Sequence, residues 1–336
     1  MVNEKKVIEE VSGWLRVFED GSVDRTWTGP PEVKFMSEPV PPHDDFINGV
    51  AVKDVAVTNE NSNSRLRIYL PELNDTSVNK LPVILHFHGG GFCISQADWF
   101  MYYTVYTRLA SVTKSIIISV FLPLSPEHRL PAACDAGFPA LLRLRDISRQ
   151  QLNEPWLTKY ADFNRVFLIG DSSGGNIVHY VAARAGEEDL SPVRLAGAIP
   201  IHPGFVRSKR SKSELEQEQT PFLTLDMVDK FLGLALPVGS NKDHPITCPM
   251  SDVAVAVEEL KLPPYLYCMA DKDLIKDTEM EFYEVMKKGG KDVELFVNNG
   301  VGHSFYLNKI AVEMDPVTGS ETEKLFEAIA EFISKH

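Results

Sequence analysis

The chain has 336 residues, 44% of them hydrophobic and 24% charged, and this composition excludes collagen-like, low-complexity and wholly disordered proteins. The 47 acidic residues outnumber the 34 basic ones, and the net charge of −13 at pH 7 argues against nucleic acid or an anionic membrane as a partner. We expect a cytoplasmic protein, since the chain opens without a signal-peptide core and has no apolar run long enough to span a bilayer. The cysteines form no C-x-x-C pair and are expected to be reduced thiols; they are Cys93, Cys134, Cys248 and Cys268.

Residues 1–45 are predicted to form an accessory N-terminal cap segment. Apolar residues near its start recur at helical spacing and predict a helix; these are Val7, Ile8, Val11, Trp14 and Leu15. The Asp20-Gly21 pair predicts a hairpin turn between short strands at Val17-Phe18 and Val23. Prolines between positions 30 and 42 predict irregular structure after it.

Residues 46–336 are predicted to form one α/β domain. Eight β-rich runs occur in it, and most of them from the third onward are separated by helix-like segments: Val50–Val57, Leu66–Leu70, Val83–Phe87, Ile116–Val120, Val166–Ile169, Ala196–Ile201, Tyr265–Met269 and Val293–Val297. Several runs are apolar on both faces, which is typical of buried parallel strands. The pattern predicts a mostly parallel central sheet with an antiparallel start and flanking helices. A capping box at Ser320–Glu323 predicts the start of the last helix.

Residues 205–250 interrupt the alternation of strands and helices. They contain the charged tract Arg207–Gln219 and the amphipathic stretch Pro221–Leu234. An insertion after the carboxyl end of a strand lies over the ligand crevice of an α/β sheet. The segment is therefore predicted to form a small helical cap or lid together with the N-terminal segment. A surface excursion without function is the alternative.

The pentapeptide at residues 170–174 matches the pattern G-x-S-x-G and has Ser172 at its centre. An apolar strand precedes it, and the periodicity of Asn176–Ala185 predicts a helix after it. This context indicates a sharp strand-to-helix turn that exposes a nucleophilic serine. A glycine-rich turn with a bystander serine is the alternative.

A serine nucleophile needs a histidine base, which is itself oriented by an acid. His303 lies in a glycine-rich loop after the last predicted strand and is the candidate base. Asp273 follows the preceding strand and is the preferred acid, while Asp271 and Asp277 remain rivals. Asp277 suits the N-cap of a helix predicted at 278–288.

A second glycine-rich motif, His86-Phe87-His88-Gly89-Gly90-Gly91, follows the strand that ends near Leu85. Its glycines allow consecutive backbone N–H groups to point at one developing negative charge. A phosphate cradle is the competing interpretation, but neither a P-loop ending nor a G-x-G-x-x-G fingerprint follows. His86 and His88 lack a nearby acidic or cysteine partner, which argues against a metal site. His88 is expected to brace the loop by hydrogen bonding.

These motifs together resemble the hormone-sensitive-lipase branch of the α/β-hydrolases, and within it the plant carboxylesterases. The resemblance extends over nearly the whole chain and rests on HGGGF at 88–92, PEHRLPA at 126–132, GDSSGG at 170–175, DLIKD at 273–277 and the Gly302-His303 pair. The opening segment at 10–27 resembles that of the tobacco esterases induced in the hypersensitive response, which implies a role in plant defence.

The resemblance implies an α/β-hydrolase fold with Ser172 as nucleophile, His303 as base and Asp273 as acid. It assigns the oxyanion hole to the N–H groups of Gly90, Gly91 and Ser173, with Gly89 as a further candidate. The chain departs from the family pattern in two places: Ser173 stands where alanine is frequent, and Ile275 stands at the centre of the acid motif, where leucine is usual. No metal or organic cofactor is implied.

The expected function is hydrolysis of small uncharged carboxylic esters by a serine carboxylesterase. A hormone-binding receptor of the gibberellin type is one rival, although such receptors resemble this family without the histidine that His303 provides. A hydrolase-like cyclase or eliminase of specialised metabolism is the other. The sequence leaves the natural ester and the oligomeric state open.

Overall fold

The computed structural model describes residues 5–59, 62–73, 80–220 and 222–336. Its strands are β1 (Val7–Val11), β2 (Leu15–Phe18), β3 (Val23–Asp24), β4 (His43–Ile47), β5 (Val50–Asn59), β6 (Ser62–Pro71), β7 (Leu81–Phe87), β8 (Ile116–Val120), β9 (Ala161–Asp171), β10 (Leu195–Ile201), β11 (Tyr265–Ala270) and β12 (Val293–Asn298). Its α-helices are α1 (Phe100–Thr113), α2 (Ala132–Ser148), α3 (Pro155–Tyr160), α4 (Ser173–Ala185), α5 (Lys212–Glu216), α6 (Leu225–Ala235), α7 (Lys276–Lys288), α8 (Lys309–Met314) and α9 (Pro316–Lys335). Short 3₁₀ turns lie at Pro31–Ser37, Val257–Glu259 and Phe305–Leu307.

The central sheet has the strand order β12-β11-β10-β9-β7-β8-β6-β5-β4. The strands from β12 to β8 in this order are parallel, while β6, β5 and β4 add antiparallel pairs at the other edge. The prediction of a mostly parallel sheet with an antiparallel start is confirmed, and each of the eight predicted runs lies within a strand. Strand β4 was missed because its sequence, HDDFI, is polar at an exposed edge.

Side chains of the central strands alternate between two hydrophobic cores, one on each face of the sheet. Along β7, Val83, Leu85 and Phe87 pack into one core, and Ile84 packs into the other. Helices α2 and α4 contact each other on the first face, and α1 and α9 contact each other on the second. Because both faces are covered, the central parallel strands are apolar at most positions on both faces. The cysteines are buried as free thiols, as predicted.

The N-terminal segment forms a small antiparallel sheet of β1, β2 and β3, so the predicted helix is wrong. Val11 pairs with Leu15 across a turn in which Gly13 has a φ of 74°. This hairpin buries Val11 and Leu15 and leaves Ile8 60% exposed, so the helical spacing of these residues does not describe one buried face. The hairpin predicted at Asp20-Gly21 is confirmed.

Helix α9 begins at Pro316, and the prediction that it opens at the capping box 320–323 is wrong. The Asp315 carboxylate accepts the backbone N–H of Thr318 at 2.9 Å and caps the helix, while proline suits the first helical position. Glu321 lies inside the helix, where its carboxylate accepts a hydrogen bond from the Asn298 amide.

The insertion 205–250 lies between β10 and β11 and contains α5 and α6. Helix α6 contacts β1, so the insertion and the N-terminal sheet touch each other. The charged tract forms ion pairs there, including Arg210 with Asp229 at 2.5 Å. Within the described residues, no helix has the length and apolar character needed to cross a membrane.

Candidate active site

Ser172 lies between β9 and α4 with φ 50° and ψ −123°, a conformation that a residue with a side chain rarely adopts. Two glycines allow the chain to turn so tightly here. A Cβ on Gly170 would lie 2.5 Å from the carbonyl oxygen of Gly174, and a Cβ on Gly174 would collide with the carbonyl oxygen of Phe87. The predicted strand-to-helix turn around Ser172 is therefore present.

Hydrogen bonds connect Ser172, His303 and Asp273 in one chain. With Nδ1 of His303 protonated, Nδ1–H donates to Asp273 Oδ2 at 2.6 Å, and Nε2 accepts from the Ser172 hydroxyl at 2.9 Å. Asp273 is fully buried, and Ile275 N–H donates to its Oδ1. Burial opposes ionisation of Asp273, but the charge and hydrogen bond of His303 outweigh it and hold the pKa of that carboxyl below its ordinary value.

The two rival aspartates are held by other groups. Asp271 Oδ1 accepts Gly300 N–H at 2.7 Å, and Asp277 Oδ2 accepts Ser213 N–H at 2.7 Å. Helix α7 begins at Lys276, so the prediction that Asp277 is its N-cap is wrong. Asp277 instead lies in the first turn of α7 and joins this helix to α5.

The glycine loop that follows β7 presents backbone N–H groups near Ser172. Gly90 and Gly91 have φ angles of 98° and 58°, and Ser173 begins α4. Among the described residues, none accepts the N–H groups of Gly90, Gly91 or Ser173. Gly89 N–H already donates to Tyr102 Oη at 3.0 Å and to Asp171 Oδ1 at 3.2 Å, unlike the N–H groups of the other three candidate positions.

The histidines of the glycine-rich motif are structural. His88 Nδ1–H donates to Gly89 O at 3.0 Å, which confirms that this side chain braces the loop. His86 Nδ1 lies 2.5 Å from Ser119 Oγ on the adjacent strand β8. Burial lowers the pKa of His88 to about 4 and also lowers the pKa of His86. Both rings are therefore neutral near pH 7.

A pocket opens beside Ser172 and His303, with walls from the N-terminal segment, the glycine loop and the insertion. Its lining is mainly apolar and aromatic and includes Trp14, Phe92, Ile94, Met101, Phe222, Leu223, Met227, Val228, Phe231, Leu232 and Leu307. Among the described lining residues the one charged side chain is Asp171, which is buried beneath the loop. The described part of the lining thus offers no lysine or arginine to a ligand. Sequence reasoning did not place Trp14 here, since it assigned this residue to a helix.

His202 was not selected from the sequence, although its position directly after the buried strand β10 could have indicated it. Its Nδ1 accepts Ser304 N–H at 2.9 Å. Polar atoms of His202, Asp273 and His303 lie within 4.8 Å of one another, close enough to hold a metal ion. The hydrogen bonds described above already occupy His202 Nδ1 and both ring nitrogens of His303, so these nitrogens are not free to ligate a metal in this arrangement.

Comparison with known proteins agrees with this geometry. A family model described as alpha/beta hydrolase fold matches residues 84–307. The chain is 36% identical to probable carboxylesterase 6 of Arabidopsis thaliana over 306 residues, covering 90% of this chain and 85% of the relative. It is 35% identical to 2-hydroxyisoflavanone dehydratase of Glycyrrhiza echinata, covering 90% and 91%.

Solved structures show the same fold. An ester-hydrolase from the metagenome of Lake Arreo superposes with a TM-score of 0.70 at 23% identity, covering 90% of this chain and 87% of the other. The family match spans about two thirds of the chain, and the plant relatives extend the similarity to nine tenths of it. The chain belongs to the α/β-hydrolase fold family.

Proposed function

We propose that the protein is a serine carboxylesterase that hydrolyses small uncharged carboxylic esters. The observation that carries this proposal is the hydrogen-bonded chain from Ser172 through His303 to Asp273, at a strained strand-to-helix turn. This arrangement provides a nucleophile, a base in the required tautomer and an anion that stabilises the base when it becomes protonated. The plant relative named as a probable carboxylesterase supports the same activity.

In the proposed mechanism, Ser172 Oγ attacks the ester carbonyl carbon while its proton moves to His303 Nε2. The carbonyl oxygen becomes an oxyanion, which accepts hydrogen bonds from the N–H groups of Gly90, Gly91 and Ser173. Collapse of the tetrahedral intermediate breaks the bond to the alcohol, and His303 returns the proton to it. Water then attacks the acyl-enzyme with His303 as base, and the carboxylic acid and free Ser172 result.

The pocket favours uncharged substrates over acids. Burying a carboxylate against apolar side chains without a partner is costly, and no lysine or arginine is found among the described residues of the lining. The same argument weakens the receptor alternative, because a gibberellin is a carboxylic acid. The elimination alternative is supported by the relative named as a dehydratase. The hydrogen bond from the Ser172 hydroxyl to His303, the proposed base, favours acyl transfer to the serine over elimination.

The proposal extends to a role in plant defence and to a cytoplasmic location. The likeness of residues 10–27 to the tobacco hypersensitive-response esterases supports a role in plant defence, and the composition supports a cytoplasmic location. Fractionation of plant tissue before and after pathogen challenge, with an antibody to this chain, tests both. Failure of the protein to accumulate after challenge contradicts the defence role.

The nucleophile is tested with a fluorophosphonate probe. Wild-type protein should be labelled and should hydrolyse p-nitrophenyl butyrate, and Ser172→Ala should lose labelling and on the order of 10⁴-fold or more in turnover. Ser191→Ala, at an exposed serine distant in sequence, serves as the matched control and should retain both properties. Labelling that survives in Ser172→Ala contradicts the assignment.

The rival functions are separated by product analysis and binding. The esterase proposal expects acid and alcohol from short p-nitrophenyl esters, with turnover abolished in His303→Ala. A wild type that lacks esterase activity but dehydrates a 2-hydroxyisoflavanone would support elimination. A wild type without turnover that binds a gibberellin with a micromolar or lower Kd would support the receptor.

A further inference from the structure

The carboxyl end of β10 and the residues directly after it form hydrogen bonds with Ser172 and with the loop that carries His303. Ile201 O accepts Ser172 N–H at 3.0 Å, and Gly204 N–H donates to Ser172 O at 2.9 Å. Between these two residues, His202 Nδ1 accepts Ser304 N–H at 2.9 Å. The segment 201–204 therefore holds the serine through two backbone bonds and the histidine loop through one side chain.

The bond between His202 and Ser304 joins two strained residues. Their φ angles are 44° and 49°, in a region that residues with a Cβ rarely adopt. Such conformations persist where surrounding contacts over-determine them, and they concentrate at functional sites. Ser304 directly follows His303, so a displacement of its N–H displaces the imidazole. That imidazole must lie close to Ser172 and Asp273 at the same time.

His202 also lies near the acid of the hydrogen-bonded chain. It is completely buried, and a ring nitrogen lies within 4.8 Å of an Asp273 carboxylate oxygen. Because Nδ1 accepts a hydrogen bond, the neutral ring carries its proton on Nε2. Burial lowers the pKa of His202 to about 4, so the ring is neutral at pH 7 and places no positive charge beside His303.

We propose that His202 is a positioning residue: its Nδ1 fixes the loop that carries His303 at the distance from Ser172 that proton transfer requires. This inference rests on the esterase function proposed above. His202 does not touch the reacting atoms; it acts through Ser304 on the geometry of His303. Since small displacements in a catalytic geometry reduce the rate of chemistry, its loss should appear in kcat rather than in KM.

The test compares His202→Asn with His202→Leu, two side chains of similar size and branching. Asparagine retains an oxygen acceptor at the position of Nδ1, and leucine has none. Active sites are first counted by fluorophosphonate labelling, and kcat and KM for p-nitrophenyl butyrate are then expressed per active site. His202→Leu should lower kcat by about 10- to 100-fold with little change in KM. His202→Asn should retain most of the wild-type kcat. His202→Phe, which retains the ring volume, replaces the leucine variant if that variant does not fold.

His179→Leu is the matched control, because His179 is also a buried histidine with its Nδ1 bonded, in this case to Tyr265 Oη at 3.2 Å. It should retain the wild-type kcat per active site. Wild-type kcat in His202→Leu, an equal loss in His202→Asn, or an equal loss in His179→Leu each overturns the positioning role. A wild type that neither hydrolyses the ester nor reacts with the probe overturns the proposed function instead.

Discussion

At the scale of single residues, the site stores backbone strain at Ser172. A residue with φ 50° and ψ −123° costs on the order of 1–3 kcal/mol relative to a relaxed conformation. Hydrogen bonds from Ser172 N–H to Ile201 and from Gly204 to Ser172 O hold it in place. In this conformation the Ser172 hydroxyl lies 2.9 Å from His303 Nε2. The backbone strain at Ser172 therefore lowers stability but places the serine hydroxyl where the proposed nucleophile must lie.

The carboxylate of Asp273 should be required for turnover. Asp273→Asn removes the anion that accepts His303 Nδ1–H, so the imidazole loses its tautomer preference and its charge partner. We expect turnover of p-nitrophenyl butyrate to fall by roughly 10³- to 10⁴-fold with little change in Tm. Steady-state kinetics and thermal melting measure the two effects.

The same substitution at the neighbouring aspartates supplies the controls. Asp271→Asn and Asp277→Asn remove carboxylates that accept backbone N–H groups of Gly300 and Ser213, so they should affect stability and leave most of the activity. Near-normal turnover in Asp273→Asn, with a collapse in either neighbour, would show that another aspartate orients His303.

Glu279 is a buried carboxyl group that should reduce stability at neutral pH. It is fully buried, and neither oxygen has a hydrogen-bond partner in the part of the chain that the structure describes. Burial, and then the negative charge of Asp273, raise the pKa of Glu279 well above 4.5. Above pH 4.5 the folded state therefore binds more protons than the unfolded state, and stability falls as pH rises toward the folded pKa.

Glu279→Gln removes this titration and should stabilise the protein increasingly as pH rises. The difference in free energy of unfolding between this variant and the wild type should grow by up to about 1.4 kcal/mol per pH unit above pH 4.5. The growth should stop where the pH reaches the raised pKa of Glu279. Urea unfolding of both proteins at pH 5, 6.5 and 8 measures it. An equal stability difference at all three values would mean that Glu279 is ionised in the folded state.

At the scale of elements, prediction succeeded where burial is uniform and failed where it is not. Each parallel strand of the central sheet contains a short run of mostly apolar, β-rich residues, and these runs were sufficient to locate the strands. The prediction of a helix at β1 was wrong because the apolar residues of this segment do not share one buried face: Val11 is buried, whereas Ile8 is exposed. The start of α9 was misplaced because Asp315 and Pro316 define it better than the later capping box.

Helix α6 lies directly on the glycine loop. A Cβ on Gly91 would lie 2.5 Å from the Phe231 ring, and the Cys93 thiol donates to Phe231 O at 3.5 Å. The Arg129 guanidinium donates to Gly233 O and Leu236 O near the end of the same helix. The insertion is therefore packed against the loop that is proposed to bind the oxyanion, and movement of one should move the other.

Gly91→Ala should impair turnover for two reasons. The φ of 58° is unfavourable for alanine, and the added methyl group would push the Phe231 ring and the loop apart. We expect kcat for p-nitrophenyl butyrate to fall by about tenfold or more, because the N–H donors must lie within hydrogen-bond distance of the oxyanion. Gly91→Ala/Phe231→Leu should recover part of the loss.

Gly21→Ala is the control that adds backbone strain without a steric clash. Gly21 has a φ of 80° in an exposed hairpin, and nothing in the described structure lies within 4 Å of an added Cβ. This variant should lose about 1–2 kcal/mol of stability and retain its turnover. Full turnover in Gly91→Ala, or no recovery in the double variant, would contradict the coupling between α6 and the loop.

At the scale of the whole molecule, the site assembles where the carboxyl ends of parallel strands meet. The glycine loop follows β7, Ser172 follows β9, His202 follows β10, Asp273 follows β11 and His303 follows β12. Because such ends share one edge of a sheet, the sequence could predict that these groups meet. It could not predict that Gly89 N–H is occupied or that His202 contacts the histidine loop. Those contacts depend on side-chain positions set by packing between elements distant in sequence.

Buried neutral histidines should make the whole molecule sensitive to acid. Burial lowers the pKa of His88, His179 and His202 to about 4 each, against an ordinary value of 6.5. Between pH 4 and 6.5 these three histidines bind more protons in the unfolded state, so the stability that they contribute is full above pH 6.5 and is lost as pH falls toward 4. Each histidine contributes about 1.4 kcal/mol per pH unit, so together the three should lower stability by about 4 kcal/mol per unit, and the opposite effect of Glu279, at most about 1.4 kcal/mol per unit, offsets only part of this loss. The remaining loss is enough to unfold a marginally stable domain before pH 4. Circular dichroism during acid titration should show one cooperative transition in this range, and His179→Phe should move its midpoint to lower pH by removing one titrating ring. A Tm that stays constant from pH 7 to pH 5 would mean that these rings become protonated without unfolding.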